Sequence, residues 1–534
     1  MSIKNRIISL SRWDGYVYFI LLFTVIIQAL KWRLLPIFID VYYHLLTVAG
    51  FNDAGGWLDR CFWEFAPVGR PQLYPPLLHI LMLFLLKMGV PLLSIGKLAQ
   101  FLIYPLLLFV IWYVIREIFD KKIAFFSLLM IFSLYSFYLT AVITLAASLS
   151  LIFCLLSLLF LERNKILTSA ILFSLAFYTH GFTPWLLFCV FVLYGVLFKE
   201  RLKSCLKVCL LTLFFSCPII FYQIIMSRFY VFQRNLAENF YIEINLFHWA
   251  VFLFGLFTCI KKKGRYYIFV SLFFVFIILL IGGFIFRYFS FYGIMTIVFM
   301  NAIFFSSIYD KLSRKNKKVY LAVIIFLFFV LSPTLNIDLL KKDKTKDIFV
   351  PSGKVYNNLI FKKDIFTLNL FDSSLSNFIF YYSRQIRSNE ITIFFPIVFL
   401  ETANVIVNNS AEKDIIWSNF PYTAGILSLL SHRVTSSAML SEVKPYKNFD
   451  QIHVSKLIIW QKDPLNIKQE PFLLIEKYQL KKIADTKLAF IYENPKCIFK
   501  KKTLTATISY KILFMLVFLI FDYLAIFQIL SRVA

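Results

Sequence analysis

FIDVYYHLLTVAGFNDAGGWLDRCFWEFAPVGRPQLYPPLLH, residues 38–79, decides how the rest of the 534-residue chain is read. It follows the first hydrophobic run directly and sets Asp40, Asp53, Asp59 and Glu64 among aromatics, Gly and Pro. A carboxylate this close to a membrane span is costly unless it faces water or a polar cavity, so position alone makes Asp40 a candidate site residue. The competing reading of Asp40 is a marker of the membrane interface.

Composition says why a span precedes it. The chain is 60% hydrophobic, holds 64 Phe and is only 16% charged. Its mean hydropathy is +0.76. Such a chain is a polytopic membrane protein and not a soluble globule. The net charge of +27 invites a nucleic-acid partner, but the positives sit in short loops between apolar runs, which is what insertion topology produces. Lys4, Arg6 and Arg12 precede an apolar run, Tyr16 to Leu30, that is too long for a signal peptide and lacks a small-residue cleavage site. It reads as an uncleaved first span with a cytoplasmic N-terminus.

The topology turns on Tyr74 to Met88, YPPLLHILMLFLLKM, whose uninterrupted apolar core is short for a span. Placed in the interface, it leaves later spans near 98–115, 123–140, 142–161, 166–179, 182–198, 208–226, 246–260, 266–286, 289–309 and 319–335. The Lys- and Arg-rich loops between them then all fall on one side, inside, so the positive-inside bias selects an interfacial helix. Beyond residue 335 polar residues return and apolar runs shorten. DIIWSN and KLIIW read as strands and TAGILSLLSHR as a helix, giving a mixed α/β domain on the outer side. A last apolar run, Ile508 to Leu530, re-enters the membrane. The expected organisation is a polytopic α-helical membrane domain over residues 1–335 with its first external loop at 38–97, a soluble external α/β domain at 336–505 and a C-terminal transmembrane helix at 506–534. That makes about twelve spans. The eight cysteines form no C-x-x-C pair, and the pair placed outside, where a bridge can form, is Cys61 with Cys497.

Asp40, Tyr43, His44, Gly50, Trp57, Asp59, Trp63, Pro67, Gly69, Arg70, Tyr74, Pro75 and Leu77 together resemble the first external loop of the oligosaccharyltransferase catalytic subunit. That family belongs to the C-type glycosyltransferases, with the GT-C fold. The pattern holds over about forty residues in order, far more than an isolated acidic pair. The resemblance implies a multispan enzyme that takes sugar from a polyprenyl phosphate or diphosphate, with an interfacial helix in this loop. It maps Glu238 of LAEN, with Glu243 as a nearby substitute, onto the family's fifth-loop carboxylate, and Arg287 of FRYFSFYG onto an arginine that contacts the carrier phosphate. A guanidinium matches phosphate geometry, although an arginine that only snorkels looks the same in sequence. His180, in the polar break THGFTPW, is a second residue for the donor groove. Tyr43, His44, Arg70, Tyr74, Trp417 and Tyr422 are the residues for acceptor or substrate contact.

Two departures from the family redirect the function. Its second acidic motif, which with the first aspartate holds a divalent metal, corresponds here to SLYSFYLTAVITLAASL, which has no acid. A hard cation needs several oxygen ligands, so no metal residues are assigned. Its sequon-reading Trp-Trp-Asp-Tyr-Gly corresponds to WSNFPY, Trp417 to Tyr422, which lacks the aspartate. The leading expectation is an inverting, metal-independent transferase with no cofactor, at the outer face of a prokaryotic plasma membrane. It would pass a polyprenyl-linked sugar to a lipid-linked, cell-envelope or protein acceptor, with no nucleic acid as partner. Asp40 would serve as general base, with Asp53 second and Glu238 a further carboxylate. Two alternatives stay open: an oligosaccharyltransferase-like enzyme using Mg2+ or Mn2+, and a non-catalytic scaffold or glycan- or lipid-binding protein that keeps the fold.

Overall fold

The computed structural model describes residues 11–36, 39–230, 241–281, 289–331, 334–338, 366–369, 397–439, 443–462, 471–497, 499 and 506–520. In chain order it contains α1 (Arg12–Leu30), α2 (Ile39–Ala54), β1 (Gly56–Trp57), β2 (Arg60–Cys61), β3 (Arg70–Pro71), α3 (Leu77–Lys87) and α4 (Leu92–Ile118). The helical series continues through α5 (Lys121–Phe132), α6 (Tyr135–Ile143), α7 (Leu145–Glu162), α8 (Ile166–Phe177), α9 (Thr183–Leu197) and α10 (Lys199–Met226). Next come β4 (Tyr241–Asn245), α11 (Leu246–Lys262), α12 (Tyr267–Ile281), α13 (Ile294–Lys311), α14 (Arg314–Ile325), β5 (Thr334–Asp338) and β6 (Phe366–Asn369). The last part holds α15 (Ile397–Asn408), β7 (Ile415–Ser418), α16 (Pro421–Ser431), β8 (Val434–Thr435), β9 (Leu457–Gln461), α17 (Phe472–Tyr478), β10 (Lys481–Asp485), β11 (Ala489–Glu493), β12 (Ile508–Ser509) and α18 (Tyr510–Ile520).

This is a multi-pass membrane protein. Among the described residues five helices are long and apolar enough to cross a bilayer, and six if α5 and α6 form one broken span. The remaining apolar helices among the described residues are shorter, so these residues do not confirm the expected dozen spans. The run read as one span at 123–140 breaks after Phe132. There the Ser133 hydroxyl turns back to the Met130 carbonyl at 2.6 Å and Leu134 is extended, bending the pair by 79°. With eleven residues, α3 is about 16 Å long, half the thickness of a bilayer core.

The chain divides into two compact units, and the first comprises residues 1–33, 101–217 and 234–384. Its helices are tied at their basic ends by two carboxylates, Asp14 buried and Glu162 partly buried. Asp14 closes a capping box with Ser11 and pairs with Lys121 at 2.9 Å and Arg116 at 3.7 Å, linking α1 to α4 and α5. Glu162 of α7 pairs with Arg201 of α10 at 3.5 Å and accepts from Tyr194 of α9 at 2.8 Å. Where α11 crosses α13, a Cβ at Gly255 would lie 2.6 Å from the Met300 carbonyl, so a glycine there permits backbone contact.

The second unit comprises residues 34–100, 218–233 and 385–534. Its centre is a five-stranded mixed sheet in the order β10-β11-β9-β7-β8. The strand read in DIIWSN is β7, parallel to β8 and to β9, the strand read in KLIIW. The helix read in TAGILSLLSHR is α16, ending at His432 in the left-handed conformation (φ 55°). One sheet face is built from Ile458, Phe490 and Tyr492 with Tyr478 and Leu480. The central strands β7, β9 and β11 are short runs of consecutive buried apolar residues, as a sheet covered on both faces requires. The bridge considered for Cys61 and Cys497 is absent, since both are free thiols. Cys61 points at the Leu46 carbonyl and Cys497 at that of Val454.

Candidate active site

The loop that opened the sequence reading belongs wholly to the second unit, and α2 is its scaffold. Asp40 lies in the first turn of α2 and is half-buried. A carboxylate there meets the positive end of the helix dipole and the unpaired N–H groups of the first turn. Asp53 sits at the other end of α2, exposed, and accepts from Trp63 Nε1 at 2.9 Å. At 1.5 Å per residue the two carboxylates are about 20 Å apart along the axis, so they cannot serve the same reacting centre. Glu238 and Arg287 lie outside the described residues.

Four of the loop residues expected to touch substrate come together. Arg70 is fully buried and gives its Nε to Glu64 at 2.6 Å. Its Nη1 donates to the Tyr43 hydroxyl at 2.6 Å and its Nη2 to Thr47 at 2.9 Å. The guanidinium also lies 4.1 Å from the Tyr43 ring centre. Tyr74, half-buried, sets its ring 5.4 Å from both Tyr43 and His44. His44 Nδ1 and His79 Nε2 lie 2.9 Å apart. Burial, then the neighbouring His44 and Arg70, hold the His79 pKa well below 6.5, so His79 meets His44 as a neutral imidazole. Arg70 and Tyr43 are therefore spent on holding the loop, while Tyr74 and Asp40 keep exposed surface.

Glu64 has a second task that the sequence did not signal. Its Oε1 accepts from the Met439 amide at 2.7 Å, across a separation of 375 residues. Backbone bonds beside it, Phe65 N to Ser437 O at 3.1 Å, Ala66 N to Thr435 O at 2.9 Å and Thr435 N to Trp63 O at 3.0 Å, join the loop to the strand after α16. β1 also pairs with β12. At the carboxyl end of β7, half-buried Trp417 donates to Gln451 at 3.1 Å, and its ring lies 6.4 Å from Trp460. Tyr422, in the first turn of α16, packs on Phe420 at 5.3 Å. The carboxyl ends of parallel strands are where open α/β sheets bind ligands.

His180, in the first unit, is nearly buried. Its Nδ1 accepts from Thr183 N at 3.1 Å and Phe182 N at 3.3 Å, which caps α9. Thr183 in turn shares a hydrogen bond with Tyr292. Among the described residues no group of three or more His, Cys, Asp or Glu gathers to hold a metal, so no catalytic step is routed through one.

Comparison with solved structures gives the class: the chain has the GT-C fold of membrane glycosyltransferases. ArnT from Cupriavidus metallidurans in the apo state matches with a TM-score of 0.54 at 12% identity, over 91% of this chain and 99% of that one. The same protein bound to undecaprenyl phosphate matches at 0.54 and 13%, over 90% and 98%. The arabinofuranosyltransferase AftD from Mycobacteria matches at 0.51 and 10%, over 91% of this chain but 42% of its own. No family model and no curated protein matches the sequence.

Proposed function

We propose that the chain is an inverting, metal-independent glycosyltransferase that passes a sugar from a polyprenyl phosphate to an acceptor hydroxyl at the outer face of a prokaryotic plasma membrane. The observation that carries this reading is Asp40. It is the acid of the loop that combines a helix N-terminal turn with partial exposure, inside a fold that aligns along nearly the whole length of ArnT bound to undecaprenyl phosphate. In the reaction Asp40 takes the proton from the acceptor hydroxyl as that oxygen attacks the anomeric carbon. The bond to the carrier phosphate breaks on the opposite side, and Arg287, aided by His180, stabilises the departing anion. Tyr74, Trp417 and Tyr422 supply aromatic surface for sugar rings.

The test is mass spectrometry of polyprenyl-linked glycans in a host lacking the protein, complemented by the native chain or by Asp40→Asn. Accumulation of a carrier-linked sugar with Asp40→Asn, and its consumption by the native chain, supports the reading and identifies the donor. Identical profiles for the two chains would remove Asp40 as base and leave a scaffold or lipid-translocating protein.

A further inference from the structure

In the first unit, where α1 ends, three polar side chains form a directed hydrogen-bond chain. Lys31 Nζ donates to the Tyr138 hydroxyl at 2.6 Å and lies 4.5 Å from the centre of its ring. The Tyr138 hydroxyl donates in turn to Gln28 Oε1 at 3.4 Å. Tyr104 backs the group edge-on, its ring 4.9 Å from that of Tyr138. Gln28 is 5% exposed and its Nε2 has no hydrogen-bond partner.

The polarity of this chain specifies its ligand. The Tyr138 proton and the Gln28 carbonyl are consumed internally, so the chain ends on a buried amide donor with an ammonium at its other end. Leaving a buried donor unsatisfied costs its desolvation, a standing reason for an acceptor to bind. An ammonium and an amide donor held together in a site of low dielectric favour an anion over a neutral acceptor. Burial draws the Lys31 ammonium down to about 7, and an adjacent anion would restore its charge. Lys31 directly follows the span Arg12–Leu30, which is the depth at which a lipid phosphate resides.

We infer that Lys31, Gln28 and Tyr138 form a phosphate-binding subsite for the polyprenyl phosphate. The inference rests on the proposed function and adds to it residues on α1 and α6. Lys31 and Gln28 contact the phosphate oxygens, and Tyr138 positions the Lys31 amine.

The test measures binding by the purified full-length protein in nanodiscs, with undecaprenyl phosphate, undecaprenol and inorganic phosphate as probes, for the native chain and for Lys31→Met and Gln28→Leu. The native chain should bind undecaprenyl phosphate at least about tenfold more tightly than undecaprenol, and each variant should lose about tenfold or more for the phosphate lipid alone. Gln28→Leu should leave the melting temperature nearly unchanged, because it removes one unsatisfied donor while releasing the long 3.4 Å hydrogen bond from Tyr138. Competition by inorganic phosphate would show that the headgroup alone carries recognition, and its failure would show that the lipid chain is needed to deliver it; either supports the subsite if the variants weaken binding. Unchanged affinity in both variants, with the native chain still selective, overturns the subsite and leaves the proposed function standing. A native chain that does not distinguish undecaprenyl phosphate from undecaprenol overturns both.

Discussion

Removing the Glu64 carboxylate should unfasten the first loop from the α/β part of its unit. Glu64 and Arg70 are both fully buried and 2.6 Å apart, and the other Glu64 oxygen holds the Met439 amide at 2.7 Å. Glu64→Ala leaves a desolvated guanidinium without its counter-charge, a loss of about 3–5 kcal/mol. The orphaned Met439 amide belongs to the same network, so its cost of about 1–3 kcal/mol does not simply add. Glu64→Gln removes the same counter-charge but keeps an acceptor for that amide, so its loss should lie near the lower end of about 3–5 kcal/mol. At roughly 2–4 °C per kcal/mol for a unit of this size, Glu64→Ala should lower the melting temperature by about 6–20 °C. Scanning fluorimetry of the detergent-purified protein, with limited proteolysis near Trp63 to Arg70, measures both effects. Replacing Arg70 as well should recover only part of the loss, because Tyr43 and Thr47 lose their donor. A fall below about 2 °C in Glu64→Ala would refute the argument, since it would mean that Arg70 is solvated or otherwise neutralised.

Asp40→Asn should abolish glycosyl transfer, by about 100-fold or more, with the melting temperature within about 2 °C of the native value, whereas Asp53→Asn, at the far end of α2, should leave the rate largely intact; initial rates with a carrier-linked donor decide between them. In the first unit, Gly255→Ala should cost about 1–3 kcal/mol, because its Cβ would meet the Met300 backbone. Gly15→Ala, with nothing within 4 Å, should stabilise by about 0.5–1 kcal/mol, and thermal melts of the two variants test the contrast. Burial by itself would raise the Asp450 pKa, but the Tyr478 hydroxyl, the amides of His453 and Ile452 and then Lys477 bring it below 3.8. Its contribution is therefore complete above 3.8 and is lost as pH falls through the lower folded value. Unfolding of the second unit should steepen below about pH 4, and Asp450→Asn should flatten that slope in a pH series of melts.

The candidate site was partly legible because some of its signals are local. The N-terminal acid of α2, the aromatic spacing around Tyr43 and Tyr74 and the edge of β7 at Trp417 could be located from neighbouring residues. The ranking of Asp53 behind Asp40 could not be judged, because only a continuous helix from Ile39 to Ala54 separates them by about 20 Å. Arg70 read as a substrate contact, since a lone arginine in a loop carries no mark of the partners that bury it. Glu64 and Gln28 went unassigned for the same reason: the partner that defines Glu64 lies 375 residues away, and Lys31 meets Tyr138 across 107.

Sequence by itself determined that the chain lives in a membrane, and located the strands in DIIWSN and KLIIW and the helix in TAGILSLLSHR. Hydropathy and periodicity are properties of consecutive residues, and desolvation of the backbone enforces them locally. Tertiary structure alone decided that the span expected at 123–140 is broken, that Cys61 and Cys497 stay unbridged, and that the first loop is sewn to the strand after α16. Each depends on which distant groups arrive to satisfy a buried charge or amide. Chain order does not encode that pairing, because it is settled only when the whole unit closes and water is excluded.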